Sequence, residues 1–245
     1  MRQVPRLFVE TRLATGARFD LAPAQAHQLA SVLRLDAGAE LRLLDDLTGE
    51  WAARVAQVSR RAVTVEVGAP IRGREQVPDL WLLAAPIRPE RYALVAEKAT
   101  ELGVARLVPV LTERTQHARQ NLGRLRTHMV EAAEQCGRTA LPVLAAPLRL
   151  AELLEGWDPA RTLLFADEEG GAPAATVMAG APPPAAILVG PEGGFSAPER
   201  ARLLAHPAAR RLALGPRILR ADTAAVAAIA LWQALAPLAP APGGS

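Results

Sequence analysis

The chain has 245 residues, of which 50% are hydrophobic and 22% are charged, a composition typical of a globular protein with a core and not of a disordered one. The opening segment MRQVPRLFVETRLATG lacks the apolar core of a signal peptide, and the longest apolar run, 224–232, is too short to span a bilayer. The single cysteine, Cys136, excludes an intrachain disulfide. We therefore expect a cytoplasmic protein.

Almost all of the basic residues are arginines. The formal charge is only +3, yet the isoelectric point is about 9.9, and Lys98 is the sole lysine among 28 basic residues. Six arginines against three glutamates between 106 and 138 predict a local basic surface, although a solvated helix face explains the same pattern. Lys98 either joins a surface ion pair with Glu97 and Glu101 or occupies a site that fits a compact ammonium better than a guanidinium.

The first seventy or so residues are typical of a small β-barrel, because short apolar strands alternate with tight turns. One helix is predicted from Pro23 to Leu33. The turn-rich segment Gly68–Pro78 marks the domain boundary, which we place between residues 72 and 73. The predicted strands are Arg6–Val9, Glu40–Asp45, Trp51–Val58 and Ala62–Val67.

From residue 73 onward, strands alternate with helices, which favours an α/β domain with a mostly parallel sheet. Ser196 and Glu199 form a predicted capping box at the start of a helix. The tail 236–245 is predicted to be frayed. The predicted strands are Leu80–Ala85, Ala105–Val110, Thr162–Ala166, Ala185–Val189 and Arg211–Leu214. The predicted helices, apart from the capped one, are Pro89–Leu102, Leu122–Cys136 and Asp222–Leu235.

Several common sites are excluded or disfavoured by the sequence. The four histidines are scattered and lack zinc-ligand spacing, so no metal is expected. Neither a P-loop nor a G-x-G-x-x-G fingerprint is present. Cys136 is predicted to be buried packing on a helix rather than a nucleophile.

Two glycine turns remain as candidates for a ligand site. The first is LVGPEGGFSAPE at 188–199 and the second is LGPRILRADTAA at 214–225, and each joins an apolar strand to a helix. Glycines let a ligand approach the backbone, and a helix start offers free N–H groups, although a tight turn without a ligand explains the first stretch equally well. In the second, Arg217 and Arg220 could hold a phosphate or polarise a substrate oxygen, while Asp222 could simply cap the helix.

These motifs resemble those of the SPOUT methyltransferases, and more narrowly those of the bacterial family that methylates N3 of a uridine in 16S ribosomal RNA. PRLF at 5–8 and HQLASVLRL at 27–35 resemble the family's N-terminal PUA-like barrel. Two departures are Ala221-Asp222 in place of the usual Thr-Glu, and Ile87-Arg88 where a Pro-Lys pair is common. The family's central motifs are resembled by KATELGV at 98–104, ERT at 113–115 and EAAEQCGR at 131–138.

The resemblance implies a PUA-like β-barrel over residues 1–72 and a SPOUT trefoil-knot domain over residues 73–245. Three loops, after Leu164-Phe165, at 190–194 and at 214–224, would form the knot around S-adenosylmethionine. It further implies a homodimer whose second subunit completes the active site, and 16S ribosomal RNA or the small ribosomal subunit as partner. The implied cofactor-binding residues are Leu164, Phe165, Val189, Gly190, Glu192, Gly193, Leu214, Gly215, Ile218, Leu219 and Ala224. The predicted RNA-binding residues are Arg6, Arg34, Arg114 and Arg138.

The expected chemistry is methyl transfer without a metal. Glu192 or Asp222 would accept the N3 proton, and Arg217 or Arg220 would stabilise charge on O2 or O4 of the uracil. The target base must be unpaired or flipped out, because N3 lies on its pairing edge. Ribose 2′-O methylation and a non-enzymatic role as an RNA-binding assembly factor remain as alternatives.

Overall fold

The computed structural model describes residues 4–59 and 62–236, and the tail predicted to be frayed lies outside these ranges except for its first residue. The chain forms two compact units. The first comprises the described residues up to Gln76 together with Val130–Leu141, and the second comprises Val77–Met129 and the described residues from Pro142 onward. The predicted domain boundary after residue 72 stays a prediction.

The first unit is built on a five-stranded mixed sheet, in the order β1-β3-β4-β5-β2. Strand β1 pairs with β3 in parallel, and the other pairings are antiparallel. The predicted helix at Pro23 is α-helical only in its first half and continues as a π-helix over Gln28–Val32. The elements are β1 (Arg6–Phe8), β2 (Arg18–Asp20), α1 (Pro23–His27), β3 (Glu40–Asp45), β4 (Gly49–Val58) and β5 (Val63–Arg72).

Buried side chains from one face of this sheet form the core of the first unit, including Leu7, Leu43, Val55 and Val65. The turn between β3 and β4 depends on Asp45, a buried carboxylate that accepts hydrogen bonds from the backbone N–H groups of the residues that follow it. These bonds replace the water that an ionised carboxylate loses on burial.

The second unit is built on an eight-stranded sheet in which every strand pair is parallel. Its main path is β11-β13-β10-β12-β6-β7-β8, and β9 pairs with β7. The strands are β6 (Leu80–Ala84), β7 (Arg106–Leu111), β8 (Val143–Leu144), β9 (Leu148–Arg149), β10 (Thr162–Ala166), β11 (Ala172–Pro173), β12 (Ala185–Val189) and β13 (Ala209–Ala213). The helices are α2 (Pro89–Glu101), α3 (Leu122–Cys136), α4 (Leu150–Glu155), α5 (Ala174–Ala179), α6 (Ala197–Ala205) and α7 (Ala221–Leu235).

The central strands are buried on both faces, as their continuous apolar sequences require. Helices α2 and α7 pack together, and Trp232 of α7 is fully buried. Within the described residues, no helix is both long enough and apolar enough to cross a membrane.

Two sequence-based predictions need correction here. Cys136 is exposed, not buried, because it lies on the outer side of the last turn of α3. The strand predicted at Arg211–Leu214 begins two residues earlier, at Ala209, since residues 209–212 pair with β10.

Candidate functional site

Three loops meet at the carboxyl ends of neighbouring parallel strands in the second unit. Because β10 lies between β12 and β13, the loops that follow these three strands emerge at one edge of the sheet. They surround a cavity. The residues that line it are Ala166, Asp167, Glu168, Gly170, Val189, Gly190, Pro191, Glu192, Gly194, Ala213, Leu214, Gly215, Pro216, Arg217, Ile218, Leu219, Ala221 and Ala224.

The loop after β12 is shaped by its glycines. Gly194 has a φ of +65° and donates its N–H to the carbonyl of Pro191 at 2.9 Å, which closes the turn. A Cβ at Gly194 would collide with the carboxylate of Glu168, and a Cβ at Gly190 would lie 3.2 Å from the ring of Phe195. Side chains at both positions would therefore disturb the cavity wall.

The predicted capping box is present and links this loop to a second strand end. The hydroxyl of Ser196 accepts from the N–H of Glu199 at 3.3 Å, and the Glu199 carboxylate accepts from the N–H of Ser196 at 3.0 Å. The other oxygen of Glu199 accepts from the N–H of Glu113 at 2.8 Å. One buried carboxylate thus fixes both the start of α6 and the residues after β7.

The loop after β10 is held by Asp167, which is 5% exposed. Its carboxylate accepts from Arg200 Nη2 at 2.5 Å and from Arg211 Nε at 2.7 Å. Glu168 follows it and pairs with Arg200 at 3.3 Å. Asp167 and Glu168 were not predicted as cavity residues, although two acids directly after a buried strand were a usable signal.

The third loop carries a basic residue of the cavity lining, Arg217. Gly215 has a φ of +122°, and Arg217 and Ile218 are exposed, with Ile218 at 83%. An apolar side chain this exposed at the edge of a cavity is a surface available to a ligand or to a partner.

Most of the predicted cofactor residues line the cavity, and three do not. Leu164 and Phe165 lie in the buried core of β10, and the carbonyl of Gly193 accepts from Arg114 Nη1 at 2.7 Å. Those in the lining are Val189, Gly190, Glu192, Leu214, Gly215, Ile218, Leu219 and Ala224.

The four predicted catalytic residues divide into two pairs. Glu192 and Arg217 line the cavity, whereas Arg220 and Asp222 lie just beyond the lining, at the start of α7. Asp222 is 5% exposed and pairs with Arg91. Burial alone would raise the pKa of Asp222, but the N–H of Thr223 and the guanidinium of Arg91 outweigh it, and the pKa lies below its ordinary value.

The four predicted RNA-binding arginines differ in exposure. Arg34 and Arg114 are exposed, and Arg34 has a φ of +53°. Arg6 is partly exposed and pairs with Glu50, while Arg138 is 6% exposed and pairs with Glu75 at 2.8 Å. Arg138 is therefore the least accessible of the four.

Within residues 4–59 and 62–236, no group of three or more histidine, cysteine, aspartate or glutamate side chains could hold a metal ion.

Two families of known protein domains match this chain. Residues 74–233 match the family described as RNA methyltransferase domain, and residues 21–68 match the family described as RNA methyltransferase PUA domain. The chain is 31% identical to a Synechocystis protein and 28% identical to a Rickettsia conorii protein, both named ribosomal RNA small subunit methyltransferase E. These alignments cover 94% and 92% of this chain, and 77% and 93% of the relatives.

Two solved structures resemble the chain over nearly its whole length. One is ribosomal RNA small subunit methyltransferase E from Neisseria gonorrhoeae bound to S-adenosylmethionine, with 26% identity, a TM-score of 0.86, and coverage of 95% of this chain and 98% of that one. The other is a Legionella pneumophila protein in complex with S-adenosylmethionine, with 28% identity, a TM-score of 0.85, and coverage of 96% and 98%.

Proposed function

Because this chain belongs to the RNA methyltransferase family with a SPOUT fold, we propose that it transfers a methyl group from S-adenosylmethionine to N3 of a uridine in 16S ribosomal RNA. The observation that carries the proposal is the meeting of three loops around one cavity at the carboxyl ends of β10, β12 and β13. Two relatives with the same fold hold S-adenosylmethionine.

The cavity fits this cofactor in its chemistry. Val189, Leu214, Leu219 and Ala224 offer apolar surface for a purine ring, while the glycine loops offer backbone groups for the polar parts of the molecule. The absence of a Cβ at Gly194 leaves room for the carboxylate of Glu168, which also lines the cavity. When bound, the cofactor supplies a methyl group that is already activated by its sulfonium, so the protein must align the acceptor and exclude water.

Glu192 is the better placed of the two candidate bases. It lines the cavity, whereas Asp222 lies outside the lining and is already paired with Arg91 and with the N–H of Thr223. The Glu192 carboxylate would accept the proton that N3 loses when the uracil takes up the methyl group, and the cofactor would leave as the neutral thioether. Arg217, and Arg220 three residues further along, stabilise the negative charge that develops on the uracil oxygens.

The remaining parts of the proposal concern the setting of the reaction. The substrate is 16S ribosomal RNA or the small ribosomal subunit, which places the protein in the cytoplasm. The protein acts as a homodimer, with the second subunit completing the active site. The PUA domain recognises the shape and the phosphates of the RNA. The target base is presented unpaired.

Nucleoside analysis tests the function and its alternatives together. The purified protein is incubated with S-adenosylmethionine and with small subunits from a strain that lacks the gene, and the 16S RNA is digested and analysed by mass spectrometry. We expect 3-methyluridine with the parent protein and a large loss with Glu192→Gln. A ribose-methylated nucleoside would instead identify a 2′-O methyltransferase, and no methylation would favour an assembly factor.

A further inference from the structure

A buried glutamate in the first unit holds three arginines from three different strands. Glu50, at the start of β4, is 1% exposed. Its Oε1 accepts from Arg6 Nε at 3.0 Å and from Arg42 Nη1 at 3.2 Å, and its Oε2 accepts from Arg72 Nε at 2.6 Å. We call these four residues the Glu50 cluster. It brings three positive charges to one negative charge.

The arginines of the Glu50 cluster are open to solvent although the glutamate is not. The side chains of Arg6, Arg42 and Arg72 are 24%, 37% and 46% exposed. A guanidinium carries five N–H donors, and each of these three uses one of them on Glu50. Arg72 also donates to the carbonyl of Gly137. Donors are therefore left over on the exposed side of all three arginines.

The backbone fixes where these arginines point. Arg6 on β1 is directly opposite Arg42 on β3, so both side chains lie on one face of the sheet. Gly137, with a φ of +79°, lies next to two of these guanidiniums. A Cβ at Gly137 would lie 3.3 Å from Arg72 Nη2 and 3.5 Å from Arg6 Cζ. Glycine at this position therefore makes room for two of the three guanidiniums.

The excess of positive charge is a property of this cluster and not of every ion pair in the first unit. Arg74 pairs with Asp46, and Arg138 pairs with Glu75. On the same sheet, Arg18 and Arg54 share Glu66. Bringing three guanidiniums together costs electrostatic free energy that one carboxylate offsets only in part, whereas an added anion would offset the rest.

We propose that the Glu50 cluster binds the phosphodiester backbone of the RNA substrate, with Glu50 as the positioning residue. A phosphate offers a negative charge and several acceptor oxygens to guanidiniums whose planes are already held in place. Such a contact fixes the register of the RNA without reading its sequence. This inference rests on the proposed function, because it requires an RNA substrate.

The test is Arg42→Gln in the full-length protein. Glu50 keeps Arg6 and Arg72 in this variant, so the fold loses one of three redundant partners. Binding of a fluorescently labelled single-stranded oligouridine is measured by anisotropy over a series of salt concentrations. We expect the affinity to fall by roughly three- to tenfold near 0.1 M salt, and the slope of log affinity against log salt to become shallower by about 0.7 per lost phosphate contact.

Three further variants separate RNA binding from a structural role. Arg6→Gln combined with Arg42→Gln should reduce both quantities further, and Arg42→Lys should keep the parent slope because the charge remains. Arg74→Gln is the matched control, an exposed arginine with a single acidic partner. Parent-like slopes for Arg42→Gln and for the double variant would overturn the proposal. An equal change in Arg74→Gln would overturn it too, because net charge would then explain the effect.

Failure of this inference is distinguishable from failure of the proposed function. Methylation of 16S RNA by the parent protein tests the function alone. If the parent methylates RNA and the cluster variants bind oligouridine as the parent does, only the Glu50 cluster is reassigned, to a structural role. Melting temperatures and S-adenosylmethionine affinities are measured for every variant, and a variant with parent-like values in both is folded.

Discussion

The proposed role of Arg220 in methyl transfer can be tested without disturbing the helix that follows it. It occupies the N-cap position of α7, but its side chain makes no capping hydrogen bond and is exposed. Its truncation should therefore leave the helix intact. We expect Arg220→Ala to retain S-adenosylmethionine affinity and to reduce methyl transfer by about a hundredfold, as for the loss of a transition-state electrostatic partner.

Calorimetry and single-turnover methylation check the two halves of this prediction. Arg202→Ala is the control, since that arginine is also exposed but lies on α6, outside the cavity lining. A parallel loss of cofactor affinity in Arg220→Ala would make it a cofactor residue instead.

Gly194 offers the sharpest test of the cavity wall. Gly190→Val is less informative, because a side chain there would meet the Phe195 ring before it met a ligand. Gly194→Ala combines a positive φ with a collision against the carboxylate of Glu168, so Glu168, which also lines the cavity, must move. We expect S-adenosylmethionine affinity to fall at least tenfold, by about 1.4 kcal/mol or more.

Gly16→Ala provides the matched control for Gly194→Ala. Gly16 has a φ of +79° and open space around its Cα, so alanine there adds backbone strain without a contact. It should lower stability and leave cofactor affinity unchanged. Equal affinity in both variants and the parent would show that the turn does not form the cofactor site.

The contribution of Glu134 to stability falls as the pH rises, whereas that of most carboxylates grows. Burial, assisted by the charge of Glu131, raises its pKa from 4.5 to about 7, against the hydrogen bond from the N–H of Phe8. The folded state therefore binds this proton more tightly than the unfolded chain does. Its contribution is greatest below pH 4.5 and is lost as the pH rises to about 7.

The variant Glu134→Gln removes this titration and keeps an acceptor for Phe8. We expect the free energy of unfolding of the parent to fall by on the order of 2 kcal/mol more than that of the variant across this window. Chemical denaturation at several pH values measures it. Glu155→Gln, at a side chain that is 72% exposed, should follow the parent, and an identical pH profile for Glu134→Gln would contradict the assignment.

Lys98 proves to be a surface residue. Its Nζ donates to Glu101 and Glu97 at 2.8 and 2.7 Å, and the side chain is 33% exposed. These hydrogen bonds to Glu101 and Glu97 raise its pKa. The geometry favours the surface ion pair, which contributes under about 1 kcal/mol, over a site reserved for an ammonium.

At the scale of elements, the helix start after the glycine turn carries a testable stability contribution. The Ser196 hydroxyl caps α6, while Glu199 is held independently by two backbone N–H groups. Ser196→Ala should cost about 1 kcal/mol and lower the melting temperature by a few degrees. Ser196→Thr keeps a capping hydroxyl without adding a charge beside the buried Glu199, and should lose less stability than Ser196→Ala. Equal losses in both would place the effect elsewhere than in the cap.

Elements with strong local patterns were predictable from the sequence. Glu40–Asp45, Leu122–Cys136, Thr162–Ala166 and Ala185–Val189 were predicted with the observed bounds, because apolar runs ended at turn residues. The six-residue helices α4 and α5 were missed, since so few turns give no clear periodicity. The π-helix at Gln28–Val32 replaced half of a predicted α-helix, and no local pattern distinguishes the two.

The glycine-rich loops of the site could be predicted from the sequence. Residues held by contacts between distant parts of the chain could not. The loops at 190–194 and 214–224 were found from their glycines, and the family resemblance is confirmed. Asp167 was missed because its partners, Arg200 and Arg211, lie 33 and 44 residues away. The Glu50 cluster escaped notice for the same reason, as its arginines come from three separate strands.

Helix α3 is divided between the two units, which no local pattern in the sequence indicated. Its last residues, from Val130, belong to the first unit, where Ala133 and Leu141 pack against Phe8 and Leu44. Isolated residues 73–245 would expose that apolar surface. Oligomeric state is therefore best measured on the full chain.

The predicted homodimer depends on the exposed surface of α7. From Thr223 to Leu235 this helix has no charged residue, and Thr223, Ala230 and Ala234 are exposed along one side of it. An uncharged strip of exposed small residues on an otherwise buried helix favours packing against another helix. We expect light scattering to give a dimer mass at micromolar concentration. Ala230→Glu should yield a monomer that has lost methyl transfer, because the second subunit would complete the active site.

The control for this prediction is a charge placed on another exposed helix. Leu204 of α6 is 54% exposed, so Leu204→Glu should leave both the dimer and the activity unchanged. A parent protein that is monomeric and active would exclude a two-subunit active site. If Ala230→Glu is monomeric and fully active, the dimer exists but contributes nothing to the chemistry. Loss of methyl transfer together with loss of the dimer, in a variant with a parent-like melting temperature, is the outcome that links α7 to the active site.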